Sequence, residues 1–570
     1  MSRSHRVVDH IIDTLAAAGV EFLFGVGGAN IEDLYDAAFF RRDVTAVLAK
    51  HEFSAATMAD GYSRATSRLG VVMATSGGGC LNLVPGLGES LASRVPVLAL
   101  VGQPAASMDG RGSFQDTSGR NGSLNACSLF SAVSVYCRRV MSPGDIVDAL
   151  PAAIAAAVSR GGPAVLLLPK DIQQAPLGIN GGSAATGATR RIPGDPALIA
   201  RALRRVNGPV AIVAGEQVAR DGARAELEQL RALLRARVAT VPDAKDVSGS
   251  PGLGASSALG VTGVMGHPGV APAIGASALC LLIGARLPVT ARAGLDDALA
   301  AVPTLSLGAV PPYVPCTHVH TDDLRGSLEL LLLALSGEGR PAGVPVADMA
   351  ATGVLVPPAH RGKGVRYRDA ITALAEMLPD GVDVVVDAGN TGATAIHHLG
   401  VRRDGRFVVA LGMGGMGYSF GAGVGMAFGR QGRRVVVIAG DGAFFMHGME
   451  IHTAVQYRLP ITFVLFNNNA HAMCVTREQL FYDDLYSYNR FSPSHLGAGL
   501  AAMFPGLPAA DIADTAALRP ALTAALAAAG PSVLSVGCSA DEIPPFAPFL
   551  AAAQSIPTEQ ESQEDVTASA

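Results

Sequence analysis

Residues 433–468 read RRVVVIAGDGAFFMHGMEIHTAVQYRLPITFVLFNN, and their pattern decides the fold class. Arg433 to Ala439 is an apolar, β-branched run, as expected of a parallel strand buried on both faces. Phe445 to Arg458 has the length of a helix, and Ile461 to Phe466 is a second apolar run. Gly440-Asp441-Gly442 closes the first strand and Asn467-Asn468-Asn469 closes the second. Open α/β sheets bind ligands at the carboxyl ends of their strands. A hard divalent cation that keeps phosphate oxygens in its shell needs few protein oxygens, and Asp441 and Asn468 offer a carboxylate and an amide side by side. Taken alone, a Gly-Asp-Gly also ends many strands as a plain turn.

The same alternation of helix and strand runs through the rest of the chain. In residues 1–180 the pattern predicts a helix over Val7 to Ala18 and strands over Glu21 to Val26, Gly70 to Ala74, Val95 to Val101 and Ala164 to Leu168. A linker, GINGGSAATGATRR, follows at 178–191. Residues 190–340 form a second unit with strands at Val210 to Val213 and Leu279 to Ile283, and a Pro/Gly-rich stretch at 337–364 leads to a third unit, 365–548. That unit holds the strands VDVVVDA (382–388) and Arg406 to Leu411 as well as the opening stretch. The tail, 549–570, ends in the acidic IPTEQESQEDVTASA and reads as disordered.

Charged residues make up 16% of the 570, below the roughly 25% usual for soluble proteins, so much surface is expected to be buried between domains or subunits. A net charge of −5 leaves no basic footprint for nucleic acid. The N-terminus, MSRSHRVVDHIIDTLAAAGV, reads as an amphipathic helix rather than a signal peptide, and Leu328 to Leu335 is too short to span a membrane. Seven cysteines without CxxC spacing support neither a zinc site nor a disulfide framework, which fits a reduced cytoplasmic protein. Cys474 alone lies beside the expected site, as a small apolar residue.

A second signature lies nearly four hundred residues earlier. Lys50-His51-Glu52 is followed by ATMADGYSRAT (56–66), GVVMATSGGGCLNLVPGL (70–87) and PVLALVGQ (96–103). Together with the Gly-Asp-Gly and Asn-Asn pair, these stretches resemble the thiamine diphosphate (ThDP) enzymes of the acetolactate synthase-like group. The resemblance implies an α/β fold of three doubly wound parallel-sheet domains: pyrimidine-binding (1–180), middle (190–340) and diphosphate-binding (365–548). It also implies that Asp441, Asn468 and the backbone carbonyl of Ala470 hold Mg²⁺. Glu52 would face N1′ of the aminopyrimidine, the position from which a carboxyl group promotes loss of the thiazolium C2 proton. An acidic residue that merely opens the helix through Arg64 is the plain alternative.

Other positions follow from the same likeness. Gly412 to Gly417 satisfies GxGxxG after a strand, so an NAD-binding oxidoreductase is one reading. In the other, the glycines, Gly414 among them, admit Met416 as the wedge that bends the cofactor, against the alternative of a gap-filling core Met. Backbone N–H groups at Asn390-Thr391, Gly440, Gly442-Ala443 and Ala472-Met473 would bind diphosphate, although Asn390 fits a turn equally well. Gly78 and Asn82 match a cofactor-touching loop, with Gly78 in place of the usual Pro. Phe114-Gln115 matches an active-site pair, where Gln115 either bonds substrate or is a solvated loop residue.

Departures from the group bear on substrate. Thr476 and Arg477 stand where a Gln and a selectivity-setting Trp are usual, the chain has no Trp, and 120–139 has no Lys. Arg477 would clamp a second carboxylate or phosphate, or else pair with a surface acid. His471 would face the thiazolium, or else sit in a turn. The activity implied is transfer of an acyl unit from a pyruvate-like 2-oxo acid to an acceptor carbonyl with loss of CO₂. A 2-oxo acid decarboxylase and a specialised-metabolism lyase or ligase remain rivals, although 108–122 lacks the His pair many decarboxylases use. A non-catalytic assembly subunit is a further alternative, against which Glu52, Asp441 and Asn468 argue. FAD, carried by many relatives in the middle domain, has only Gly284-Ala285-Arg286 in its favour, since the following LPVTARAG diverges. The expected partners are small 2-oxo acids and further copies of the chain, in a homodimer or homotetramer with active sites at the subunit interface.

Overall fold

The structure, a computed structural model, describes residues 5–178, 191–248, 258–337 and 353–555. Its 18 described strands form three six-stranded sheets, all parallel. The first contains β1 Phe22–Gly25, β2 Thr45–Leu48, β3 Gly70–Ala74, β4 Val97–Gln103, β5 Tyr136–Arg139 and β6 Pro163–Pro169, in the order 2-1-3-4-6-5. The second contains β7 Val210–Ala214, β8 Arg237–Thr240, β9 Ala258–Val261, β10 Leu279–Ile283, β11 Thr304–Gly308 and β12 Thr317–His320, in the order 12-11-10-7-8-9. The third contains β13 Asp383–Val386, β14 Phe407–Val409, β15 Val435–Gly440, β16 Ile461–Asn467, β17 Ala509–Ile512 and β18 Ser532–Gly537, in the order 14-13-15-16-18-17. Renumbered from its own first strand, the third order repeats the first. Central strands such as β3, β4 and β6 are buried along their whole length, as helices on both faces require.

The sequence-predicted central strands are all present. The half-exposed edge strands β2 and β5 are not predicted by apolar pattern, and neither are β8, β9, β11, β12, β17 and β18, of which β8, β11 and β18 are buried. The helix expected over 445–458 instead begins at Asp441 and breaks into Asp441–His447, a 3₁₀ turn Gly448–Glu450 and Ile451–Gln456. At the break the Phe444 ring folds over Gly448, leaving no space for a side chain. The tail expectation is also corrected in part: Ala547–Ser555 is a helix, with Phe549 buried against Phe546 and Phe481. Residues 556–570 and most of both expected links, 179–190 and 338–352, lie outside the described residues. Among the described residues no helix is long and apolar enough to cross a membrane.

Register places the site. Gly440 pairs with Phe466 across β15 and β16, so Asp441 and Asn467 leave the sheet side by side. The first and third domains are joined by helices Glu52–Thr66 and Tyr418–Gly429, which follow the topologically equivalent strands β2 and β14. They meet backbone to backbone: a Cβ at Gly61 would strike the Ala422 carbonyl, and one at Gly425 the Met58 carbonyl.

Two carboxylates cross this junction in opposite directions. Glu89, on the helix after β3, accepts from the backbone N–H of Gly412 (3.2 Å) and Met413 (2.6 Å), just beyond β14. Glu450, in the helical segment after β15, accepts from Lys50 (2.7 Å) and His51 (3.2 Å), just beyond β2. Gly425→Ala should therefore destabilise the chain. The gain in helix propensity is about 0.8–1 kcal/mol, whereas forcing a methyl into a packed contact costs about 1–3 kcal/mol, and here the neighbour is backbone. A thermal unfolding midpoint equal to or above wild type would contradict this packing.

Candidate active site

A cleft of about 440 Å³ opens at the carboxyl ends of the central strands of the third sheet. Asn390, Thr391, Met416, Gly440, Asp441, Gly442, Ala443, Asn468, Ala470, His471, Ala472 and Met473, all singled out in the sequence, line it together. Three helices begin here: Asn390–His398, Asp441–His447 and Ala472–Phe481. Their unpaired N–H groups and positive dipole ends make the floor attractive to an anion.

Asp441 Oδ1 accepts from the Gly442 N–H at 2.8 Å, while Oδ2 is buried without a partner. Burial pushes this carboxyl up to about 6, against backbone N–H groups of Gly442 and residues 468–470 that favour the charge. Asn468 donates from Nδ2 to the Tyr367 hydroxyl at 2.9 Å, and its Oδ1 is likewise buried and unpaired. Two buried oxygens left unpaired at one place are costly unless a cation takes them. Among the described residues no cluster of three His, Cys, Asp or Glu could hold a metal, so any cation here relies on amide, carbonyl and ligand oxygens beside Asp441.

Asn469, at φ 53°, turns the chain after β16, and its side chain accepts from the Ser494 N–H at 2.9 Å. The turn carries His471 over Gly442, where a Cβ would lie 2.5 Å from His471 Nδ1 and 3.2 Å from the Met416 methyl. Met416 and His471 thus converge on the glycine at the floor. His471 packs edge-on against Phe491 at 4.7 Å, and its buried Nδ1 has no partner.

The remaining predicted residues lie elsewhere. Glu52 is buried at the start of its helix, and its Oε2 accepts from Asn82 Nδ2 at 2.9 Å. Gln115, at φ 60°, sits over Gly77 with Oε1 3.5 Å from the hydroxyls of Thr75 and Ser76. Gly78 opens the helix that carries Asn82, Phe114 is 80% exposed, and Gly414 has φ 66° with open space around it. This group does not line the 440 Å³ cleft, although Phe53, next to Glu52, stacks on His447 at 4.2 Å and touches the position of Gly415.

Among the described residues Arg477 finds no acid for the surface pair that the sequence allowed. It is exposed on the helix Ala472–Phe481, outside the cleft, and has no ion pair among the described residues. Successive helical residues point about 100° apart, so it is Thr476 that turns inward, within 3.3 Å of Asn390 Nδ2.

Several residues that hold the site were not singled out. Asp387, the polar end of VDVVVDA, is buried and accepts from Gly417 (3.0 Å), Ala388 (3.0 Å) and Ser419 (2.9 Å), which ties the glycine-rich loop to β13. Asn30 donates to Ser76 at 2.8 Å beside Gln115. The sequence signal for Asp387 is a lone acid closing an apolar strand; Tyr367 and Asn30 have none, since their partners are distant in the chain.

Comparison with known proteins agrees with this arrangement. Residues 5–122 match the model for the thiamine pyrophosphate enzyme N-terminal TPP-binding domain, and 387–536 match the C-terminal TPP-binding domain. The acetolactate synthase isozyme 2 large subunit of Escherichia coli (strain K12) is 29% identical over 558 residues, covering 94% of this chain and 95% of that protein. A probable acetolactate synthase large subunit of Methanocaldococcus jannaschii is 26% identical over 522 residues, covering 85% and 83%. Acetolactate synthase 2, chloroplastic, of Nicotiana tabacum is 27% identical over 571 residues, covering 93% and 81%.

If Asp387 is the anchor of the glycine-rich loop, Asp387→Ala should speed amide hydrogen exchange at Gly417 and Ser419 roughly 10- to 100-fold. That corresponds to about 1.5–3 kcal/mol for hydrogen bonds to a charged group. Exchange at the wild-type rate would show that the loop is held by something else.

Proposed function

The chain is a thiamine diphosphate-dependent enzyme of the acetolactate synthase-like group, and from that premise we propose that it transfers an acyl unit from a pyruvate-like 2-oxo acid to an acceptor carbonyl, with loss of CO₂. The observation that carries the reading is the pair of buried, unpaired oxygens, Asp441 Oδ2 and Asn468 Oδ1, at a floor of helix N-termini. With the Ala470 carbonyl they make a protein share suited to Mg²⁺, which leaves room for phosphate oxygens and water. When bound, the cofactor supplies a nucleophilic carbon and accommodates the electron pair released with CO₂.

The protein's own groups bind and orient. Backbone N–H groups around Asn390-Thr391, Gly440 to Ala443 and Ala472-Met473 hold the diphosphate, while Met416 and His471 shape the space above Gly442. Glu52, buried and oriented by Asn82, presents a carboxyl group for the pyrimidine N1′, with Gly78 and Gly414 bordering the ring. Gln115 and the exposed Phe114 face the substrates. Because Glu52 does not line the cleft of Asp441, a homodimer or homotetramer that pairs the two halves across a subunit interface is the assembly we favour. Exposed apolar side chains at Phe445, Met446, Leu485 and Tyr488 support burial against another chain. All seven cysteines are free, in keeping with a reduced, cytoplasmic setting.

The middle domain offers FAD one short sequence match, Gly284-Ala285-Arg286. Its topological switch point lies between β7 and β10, where a dinucleotide would bind. There Glu216, after β7, pairs with Arg286, after β10, at 3.1 Å. Beside them the buried Gln217 accepts from the Ala309 N–H at 2.8 Å and donates to the Thr321 carbonyl at 3.2 Å. A cavity of about 510 Å³ opens beside them, lined by Glu216, Ala219, Arg220 and Asp243 together with Arg64, Ser93 and Phe407 of the flanking domains, so the crevice is not filled.

Incubation with ThDP, Mg²⁺ and single or paired 2-oxo acids, followed by mass spectrometry, tests the reaction: a joined product is expected. Free aldehyde as sole product would favour the decarboxylase. Glu52→Gln should still bind ThDP but slow hydrogen–deuterium exchange at its C2 by at least ~100-fold, the lower scale of a general acid–base group. Exchange at the wild-type rate would remove Glu52 from that role.

A further inference from the structure

Resting on the cation-site reading above, we infer that Tyr367 is the positioning residue that decides which end of the Asn468 amide faces the cation. Tyr367 begins the helix Tyr367–Met377, is 1% exposed, and lies 101 residues before Asn468. Its hydroxyl is 2.9 Å from Asn468 Nδ2 and 3.1 Å from the Ser539 carbonyl oxygen.

A phenol has one proton to donate, and a backbone carbonyl can only accept. The proton therefore goes to Ser539. What remains at the phenol oxygen is lone pairs, so Asn468 must meet it with its NH₂ group. The amide is planar, and Oδ1 is then turned away from Tyr367, where it is buried without a partner. The flipped amide would set two acceptors against each other at the phenol and present NH₂ in place of a ligand oxygen. This hydrogen-bond chain leaves one consistent assignment of the amide oxygen and nitrogen. The Cys538 thiol is also within reach of both side chains, but it is too weak a partner to displace the carbonyl.

Tyr367 is itself held. Its N–H lies 3.1 Å and 3.3 Å from the two oxygens of the buried Glu542, and its ring packs 5.8 Å from Phe466 on β16. The path from Glu542 through Tyr367 to Asn468 runs from the end of the domain to the cation seat.

The experiment is Tyr367→Phe, which keeps the buried ring and deletes the hydroxyl. ThDP binding is followed by calorimetry as Mg²⁺ is titrated. The Mg²⁺ needed for half-maximal binding should rise about 10- to 100-fold, the usual loss when a partner behind a metal ligand is removed. ThDP affinity at saturating Mg²⁺ should stay close to wild type. Asn468→Asp offers an oxygen at either end, so Tyr367→Phe added to it should no longer shift the Mg²⁺ requirement. A purely structural role for Tyr367 would shift it equally in both backgrounds, and that outcome, or no shift in either, overturns the inference. Asp441→Ala separates the two readings: if Mg²⁺ dependence survives it, the cation site itself is misplaced. If dependence is lost there while Tyr367→Phe has no effect, only the role of Tyr367 fails.

Discussion

A buried carboxylate that accepts two or more backbone N–H groups is the constraint on which this structure depends. Asp387 fixes the loop that carries Met416, Glu89 fixes the start of that loop from the first domain, and Glu450 fixes the backbone just ahead of Glu52. Burial opposes the charge on all three. For Glu89 the neighbouring Arg64 guanidinium at 3.1 Å overcomes it and holds the carboxyl below its usual range. Asp387 has no such cation, and Glu450 has the Thr453 hydroxyl, the N–H groups of Lys50 and His51 and the Lys50 charge, yet both stay above theirs, so their hydrogen bonds must carry the cost of burial. Segments rich in glycine become rigid in this way without side chains of their own.

Many of the buried strands and the Asp441/Asn468 pair were legible because each is a local signal, although the buried β8, β11 and β18 were not singled out. Gly70–Ala74 and Leu279–Ile283 coincide with their sequence readings because both faces are buried and the runs are uninterrupted. Tyr367, Glu89 and Glu450 were not legible, since each acts on a backbone or amide group about 100 to 400 residues away. Arg477 shows a different limit. The resemblance placed it on the helix but not on a side of it, and Thr476, one residue earlier, is the one that faces inward. In the tail, composition averaged over 549–570 hid Phe549 and Leu550, which are apolar enough to dock.

The middle domain keeps a strand order that creates a crevice at its switch point. There the Glu216–Arg286 ion pair and the Gln217 amide border a cavity shared with the first and third domains. What it contributes to the site is indirect. Lys245, for instance, donates to the carbonyls of Ala395, Ile396 and Leu399 at the far end of the helix that begins with Asn390.

The repeated strand order of the first and third sheets extends to the reciprocal clamps of Glu89 and Glu450 and to the paired helices between them. One chain therefore carries two copies of a single template, related by an internal pseudo-dyad. Equivalent strand ends have diverged in kind: β15 runs into Gly440-Asp441-Gly442, where β3 runs into Thr75-Ser76-Gly77. One copy places an acid at the strand end that lines the cleft, and the other places hydroxyls there beside the buried Glu52. From one backbone plan the two strand ends thus present different chemistry: unpaired acid and amide oxygens at one, hydroxyls and a buried acid held by Asn82 at the other.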